Sequence, residues 1–312
     1  MPAPHPTAAM VEGGRSVAAD LIAVLAAVTN SQPKVLVING GANLPSGPFE
    51  VGHRSLQQGL RDWVVQQTRH PLGYVEQLYT FADTDRGPSA ADQRAISVSY
   101  LALTRETRTA SPDAEWRAWY DYFPWEDHRT GPPPIIALTL APRLQSWAHS
   151  AHNGEDRRSR WRRATIAFGL EGRAWNDEWV LQRYELLYET GLVAERNADA
   201  PATGEAMTGD HRRILATGIA RLRAKIKYHP VVFELLPEAF TFLQLQRCVE
   251  ALAGQLVHKS NFRRLIELQK LVEETGDSAS DTRGRPAKLL RFRPAVLEER
   301  AIAGTKPPAA RT

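Results

Sequence analysis

A chain of 312 residues, 43% hydrophobic and 24% charged, holds enough apolar material for one large core or two ordinary ones, which excludes a chain that is disordered throughout. Its one cysteine, Cys248, excludes an internal disulfide and a thiolate zinc cluster. The net charge of +4 permits an acidic partner without demanding one. Two local clusters say more: Arg157, Arg158, Arg160, Arg162 and Arg163, and the run from Arg283 to Arg293, suit either phosphate contacts or solvated faces.

Residues 1–18 and 301–312, both proline-containing, are expected to be floppy tails. The apolar stretch from Val17 to Val28 contains Asp20 and is too short to cross a bilayer. No basic segment with a cleavage site precedes it, so the expected location is cytoplasmic, with no membrane partner. Lys34 to Ile38 reads as a short strand ended by Asn39-Gly40-Gly41. From Ser55 to Gln67, Leu56, Leu60, Trp63 and Val64 recur at helical spacing. Tyr74 to Phe81 and Ala95 to Leu103 read as strands. Gly131-Pro132-Pro133-Pro134 then interrupts the chain before another expected strand, Ile135 to Leu140.

Arg157 to Leu192 reads as helical and rich in tryptophan, and Asn197 to Gly209 as a loop. Asp210 to Lys227 predicts a strong helix, with Asp210 as its cap and Ile214, Ile219, Leu222 and Ile226 on its apolar face. His229-Pro230 stops it. The pattern changes there, which divides the chain into a mixed domain over 19–230 and a C-terminal domain over 231–300.

In the C-terminal part, Thr241-Phe242-Leu243-Gln244 matches a capping box, which satisfies the free amides of a helix start. That helix presents Phe242, Leu245, Val249 and Leu252 to one side and ends at Gly254. Ser260 is placed to cap a second helix, Asn261 to Leu271. Phe262, Leu265 and Ile266 then share one face, and Arg263, Arg264 and Glu267 the other. Leu271-Val272 begins a strand to which Ala287 to Phe292 returns antiparallel, around a polar hairpin ending in Arg283-Gly284-Arg285-Pro286. Two helices followed by an arginine-tipped hairpin make a winged helix-turn-helix. In it Asn261, Arg263, Arg264 and Glu267 are expected at base edges or phosphates. Lys259, Arg283, Arg285 and Lys288, with Ser260 at the helix start, are expected mainly at phosphates of double-stranded operator DNA.

Leu44-Pro45-Ser46-Gly47 opens a stretch similar to the box of the Nudix hydrolases, and Arg61 falls where that box places its arginine. In those hydrolases helical glutamates bind the Mg²⁺ that bridges a diphosphate. Here the first glutamate position is His53, Asp62 and Trp63 follow the arginine, and the metal-binding pair falls on Val65 and Gln66. Neutral amides bind Mg²⁺ far more weakly than carboxylates do. No catalytic residue, metal ligand or cofactor is therefore assigned. The chain resembles the Nudix-related transcriptional regulators of NAD metabolism, especially the NAD regulator (NadQ) branch. The resemblance runs through Tyr74 to Phe81, the Asp83 to Arg86 turn, Ile96 to Leu103, Asp210 to Leu215, Leu235-Leu236-Pro237, Asn261 to Arg264 and Arg283 to Pro286.

The resemblance implies an α+β fold, a Nudix-like mixed α/β/α sandwich followed by a C-terminal winged helix-turn-helix. It also implies a homodimer that represses genes of NAD synthesis or salvage in response to a nucleotide of that pathway, such as an NAD-related nucleotide, ATP or ADP-ribose. The helical material over about 157–197 is additional to many relatives. Arg54, Arg61, Arg86 and Arg105 are the expected phosphate partners of the effector, because a guanidinium binds phosphate in two places. Tyr74, Tyr79 or Trp63 are expected to stack on its base. Two other readings compete: a pyrophosphatase using Glu50, Asp62 and Glu76 as ligands, and a nucleotide-binding adaptor whose C-terminal module docks protein.

Overall fold

The computed structural model describes residues 16–82, 93–107, 111–228, 230–279, 286–293 and 295. Its first strand, β1 (Ser16–Thr29), occupies the apolar stretch that sequence reading left without an element, and begins inside the expected N-terminal tail. Leu21, Ala23 and Leu25 are buried on one face, Ile22, Val24 and Ala26 on the other. Covered on both sides, the strand reads as a continuous apolar run rather than an alternation. A tight turn at Asn30 and Ser31, both at positive φ, leads to β2 (Gln32–Ile38), and short β3 (Ser46–Pro48) also pairs with β1.

After β3 come α1 (Leu56–Thr68), β4 (Tyr74–Phe81), β5 (Gln93–Leu103), β6 (Ala114–Ala118) and the short α2 (Trp119–Tyr122). The strands form one sheet in the order β4-β5-β1-β2-β6, with β3 paired to β1. Only β1 and β5 run parallel, so the sheet is mixed. Leu60 and Val64 of α1 close one face over Leu21, Leu25, Leu36 and Tyr100.

The expected strand Ile135 to Leu140 is instead a π-helical turn, Ile136–Leu140, that runs into α3 (Ala141–His149). Ile136, Leu140, Leu144 and Ala148 are buried at four-residue spacing, a helical period that a short apolar run conceals. The expected helical stretch splits into α4 (Gly154–Phe168) and α5 (Val180–Glu189), because Gly169 ends α4 in the left-handed region. Next, α6 (His211–Tyr228) starts directly after Asp210 and lies on the second face of the sheet through Ile214, Ile219 and Leu222. Gly218 brings it so close to β1 that an added Cβ would stand 2.9 Å from Val24 Cγ1.

The remaining elements are β7 (Phe240–Thr241), α7 (Phe242–Ala253), α8 (Lys259–Leu268), β8 (Val272–Ala279) and β9 (Ala287–Phe292). Three strands pair in the order β7-β9-β8. One buried cluster runs without a break from Ile22 and Val24 in the large sheet to Leu245, Leu252, Phe262 and Ile266 in α7 and α8. Among the described residues no helix is long and apolar enough to cross a membrane.

Candidate nucleic-acid interface and sensing cleft

The α7–α8 pair is set by its ends. Thr241 Oγ1 accepts from the Gln244 amide while the Gln244 side chain accepts from the Thr241 amide, the reciprocal cap expected from the sequence. Gly254 ends α7 at a φ of +68°, a backbone that L residues rarely adopt. The second helix departs from expectation at both ends. It begins at Lys259 with His258 in the cap position, and Ser260 Oγ lies 3.0 Å from His258 Nδ1 rather than capping. It stops at Leu268. Phe262 and Ile266 point into the core, but Leu265 is 46% exposed, outside the apolar face assigned to it.

Beside α8, β8 and β9 form the expected wing. A groove of about 800 Å³ separates the wing from the helices, lined in part by Phe242, Leu243, Lys259, Arg263 and Lys288. Lys259, Ser260, Asn261, Arg263, Arg264 and Lys288 are all exposed. Arg263 bonds Glu267 at 2.9 Å and lies over the Phe242 ring, and Lys288 bonds Glu274 at 2.7 Å. Those two cations each carry a carboxylate partner. Lys259 and Arg264 have no ion pair among the described residues. Arg283 and Arg285 lie outside the described residues.

In the N-terminal unit the positions matching the hydrolase box hold the chain together. Gln67 bonds Ser46 twice, its Oε1 accepting from the amide at 3.0 Å and its Nε2 donating to the carbonyl at 2.7 Å. Trp63 donates Nε1–H to the Pro48 carbonyl at 2.9 Å and packs where a side chain on Gly47 would stand. His53, in the first glutamate position, stacks on Phe49 and accepts from the Glu50 amide through Nδ1. Asp62 accepts from Gln58 at 2.8 Å; Val65 and Gln66 are exposed. This donor set does not fit a Mg²⁺ pair. Among the described residues no group of three His, Cys, Asp or Glu is arranged around a common point.

The expected effector residues do not converge. Tyr74 pairs with Leu103 at one end of β4 and Phe81 with Ser97 at the other. Ser97 neighbours Asp20, which pairs with Pro48. Tyr79, 59% exposed, and the Phe49 to Arg54 loop therefore share the sheet end where β3 lies. Asp20 stands there too, its carboxyl pushed up by burial. Arg54 is exposed at this end.

At the opposite end, Arg61 donates to the Leu72 and Gly73 carbonyls, which ties α1 to the start of β4. Tyr74 donates to Glu76, and Lys225 of α6 donates to both. Burial, followed by the Glu76 bond, raises the Tyr74 hydroxyl above its usual value. Glu76 is thus spoken for by a lysine. Arg105 lines a groove with Phe233, Glu234 and Arg291, facing the winged helix. Arg86 lies outside the described residues.

Together these features define the class: a Nudix-like mixed α/β unit followed by a winged helix of DNA-binding type. Comparison with known proteins agrees. Residues 232–292 match the family model described as the NrtR DNA-binding winged helix domain. An 83-residue segment is 37% identical to the ADPR-responsive transcriptional repressor NtrR of Acinetobacter baylyi, over 27% of this chain and 33% of that protein. The match therefore spans about a third of the curated relative. Among solved structures, Shewanella oneidensis NrtR bound to a 27mer DNA superposes with a TM-score of 0.54 at 22% identity, over 89% of this chain and 95% of that one. A MutT/nudix family protein from Enterococcus faecalis superposes with a TM-score of 0.54 at 16% identity, over 91% and 90% of the two chains. These likenesses show the fold: Nudix-like domain first, winged helix second.

Proposed function

We propose that this chain is a DNA-binding transcriptional repressor of genes for NAD synthesis or salvage, in which the Nudix-like unit senses an ADP-ribose-like nucleotide. The observation that carries the reading is the NrtR-type winged helix with exposed Lys259, Asn261, Arg263 and Arg264 on α8 beside its wing. Phosphate contacts from Lys259, Lys288, Arg283 and Arg285 supply affinity, and Asn261 and Arg263 read bases. We take residues 19–230 as the sensing domain and 231–300 as the DNA-binding domain. A homodimer acting in the cytoplasm would place two such helices on a palindromic operator.

The effector class follows from the curated relative, a repressor described as responsive to ADP-ribose. In this chain the sheet end carrying Phe49, Arg54 and Tyr79 offers exposed aromatic rings and an exposed guanidinium, the chemistry that stacks on a base and holds a phosphate. Hydrolysis by the carboxylate–Mg²⁺ route is no part of the reading, since amide and indole groups tie the box positions to β3.

The test is a mobility shift on promoter fragments of NAD-synthesis genes at fixed salt, with ADP-ribose, NAD, ATP and nicotinate mononucleotide added separately. A sequence-specific shift that one nucleotide changes is the expected result. Mg²⁺-dependent release of a mononucleotide from ADP-ribose or NAD, or a shift indifferent to promoter sequence, would overturn it.

A further inference from the structure

A buried ionic cluster joins the sensing unit to the end of α7. Glu126, in the loop after α2, is fully buried between two fully buried arginines. Arg183 of α5 meets it with Nε at 2.6 Å and Nη2 at 2.9 Å, and Arg223 of α6 with Nη1 at 2.5 Å. Burial alone would raise the Glu126 carboxyl, but the two guanidiniums outweigh it and hold the group below its ordinary value. Arg183 is further fixed by the Asn176 carbonyl and by Trp175, whose ring lies 3.7 Å from the guanidinium carbon. Every charge here has its partners. Removing one would leave a dry, unpaired ion, so the cluster is stiff rather than compliant.

Its contacts with α7 all fall on one feature, the carbonyls at the helix C-terminus. A helix end leaves these groups without intrahelical partners. Here the sensing unit supplies the donors: Tyr120 Oη to Ala251 O at 2.7 Å, Arg223 Nε to Leu252 O at 2.9 Å, and the His128 amide to Gly254 O at 2.7 Å. Gly254 packs so tightly that a Cβ there would collide with the Glu126 carbonyl oxygen and the Arg223 guanidinium. The turn to α8 begins at that residue. The far end of α6 is also engaged. His211 Nδ1 accepts from the Leu44 amide at 3.1 Å, beside the segment that Trp63 and Gln67 stitch to α1. From His211 to Arg223 the helix rises about 18 Å.

We propose that Tyr120, Glu126, Arg183 and Arg223 are positioning residues for DNA binding, a rigid strut through which the sensing unit sets where the α7–α8 pair stands. The helical segment that carries Arg183 is thereby part of the coupling rather than a separate module. This rests on the repressor reading above. A rigid helix held at both ends transmits a shift of the β3 end to the α7 terminus.

The experiment uses the full chain and compares the Kd for promoter DNA with and without saturating ADP-ribose. Tyr120→Phe removes the donor to Ala251 and the long 3.4 Å acceptor of Arg223 Nη2 while the carboxylate–guanidinium pairs stay in place; Arg223→Lys keeps the charge and loses the fork. Thr203→Val is the control, deleting a buried side-chain hydrogen bond to the Leu192 carbonyl that involves neither α7 nor the Glu126 cluster. In both strut variants the ratio of the two Kd values is expected to fall about fivefold toward unity, while the control keeps the wild-type ratio. Amide exchange across α7 and α8 is expected to quicken in both strut variants, each of which loses a donor to an α7 carbonyl, and to stay unchanged in the control. Strut variants with the wild-type ratio, or a control that loses it equally, would overturn the proposal. A wild-type chain without a promoter shift would instead overturn the repressor reading. The exchange measurement then decides the strut by itself, unchanged protection in Tyr120→Phe counting against it.

Discussion

His211 sits at the first position of α6, half-buried, with one nitrogen committed to the Leu44 amide. Burial lowers its pKa from 6.5 to about 4. The folded chain therefore holds the ring neutral through a range in which the unfolded chain protonates it. Its contribution is complete above pH 6.5 and disappears as the pH falls towards 4, amounting to about 2 kcal/mol lost at pH 5. Urea unfolding of the wild type is expected to lose stability between pH 7 and pH 5, and His211→Asn, whose amide oxygen can accept from Leu44, to show a shallower dependence. Parallel pH dependences would refute the assignment and shift the loss to His70 and His128, which burial also lowers. Single arginines were the least legible part of the sequence. Arg183, Arg212 and Arg223 are fully buried, and Arg61 is a brace between α1 and β4. Charge is visible in a sequence, but whether a guanidinium meets water, a carboxylate or a carbonyl depends on chain segments that only folding brings together.

At the scale of elements, α1 and α8 make opposite uses of their exposed faces. Gln67→Ala would cut both bonds between α1 and Ser46, which should cost about 1–2 kcal/mol and loosen the loop that carries Phe49 and Arg54. Chemical denaturation reads the loss, and an unchanged midpoint would mean that Trp63 and the pairing with β1 suffice to secure β3. On α8, the double change Lys259→Ala with Arg264→Ala should reduce the slope of log Kd against log salt by about 2, weakening all sequences alike. Arg263→Ala should instead relax base preference with a smaller change in slope. Identical slopes in all three proteins would show that α8 does not lie against the phosphates. The C-terminal elements were legible because their signals are local: a capping box, a glycine stop, and a second apolar stretch that pairs with the first. The signal is absent in β1, where burial on two sides erases the period, and ambiguous over Ile135 to Leu140, where a short apolar run does not distinguish a strand from the first turn of a helix buried on one side. The candidate site was legible in part. Loss of carboxylates at the box positions could be read directly, whereas the separation of Tyr74, Arg61 and Arg105 from Tyr79 and Arg54 depends on strand register, which no spacing reveals.

For the molecule as a whole, the sequence suggests two units and the structure packs them around one apolar cluster, joined further by the Glu126 cluster at the end of α7. Separate cores with a hydrated seam would let each unit melt alone; a shared dry core makes the loss of either expose the other. The chain carries its own probes for deciding between these. All 8 tryptophans precede residue 180 and report on the N-terminal unit and the core that it shares with α7. Cys248 is the one cysteine, buried in α7 with its thiol pushed up to about 12 by burial, and reports only on the winged helix. A protected thiol reacts only when its helix opens. Under urea, tryptophan fluorescence and Cys248 labelling are expected to change together, with one midpoint and one slope. Thiol labelling at a lower urea concentration than the fluorescence change would show a winged helix that opens on its own. In that event the bonds from Tyr120, Arg223 and His128 to the α7 carbonyls would not tie the two units into one cooperative whole, and the strut proposed above would lose its rigidity.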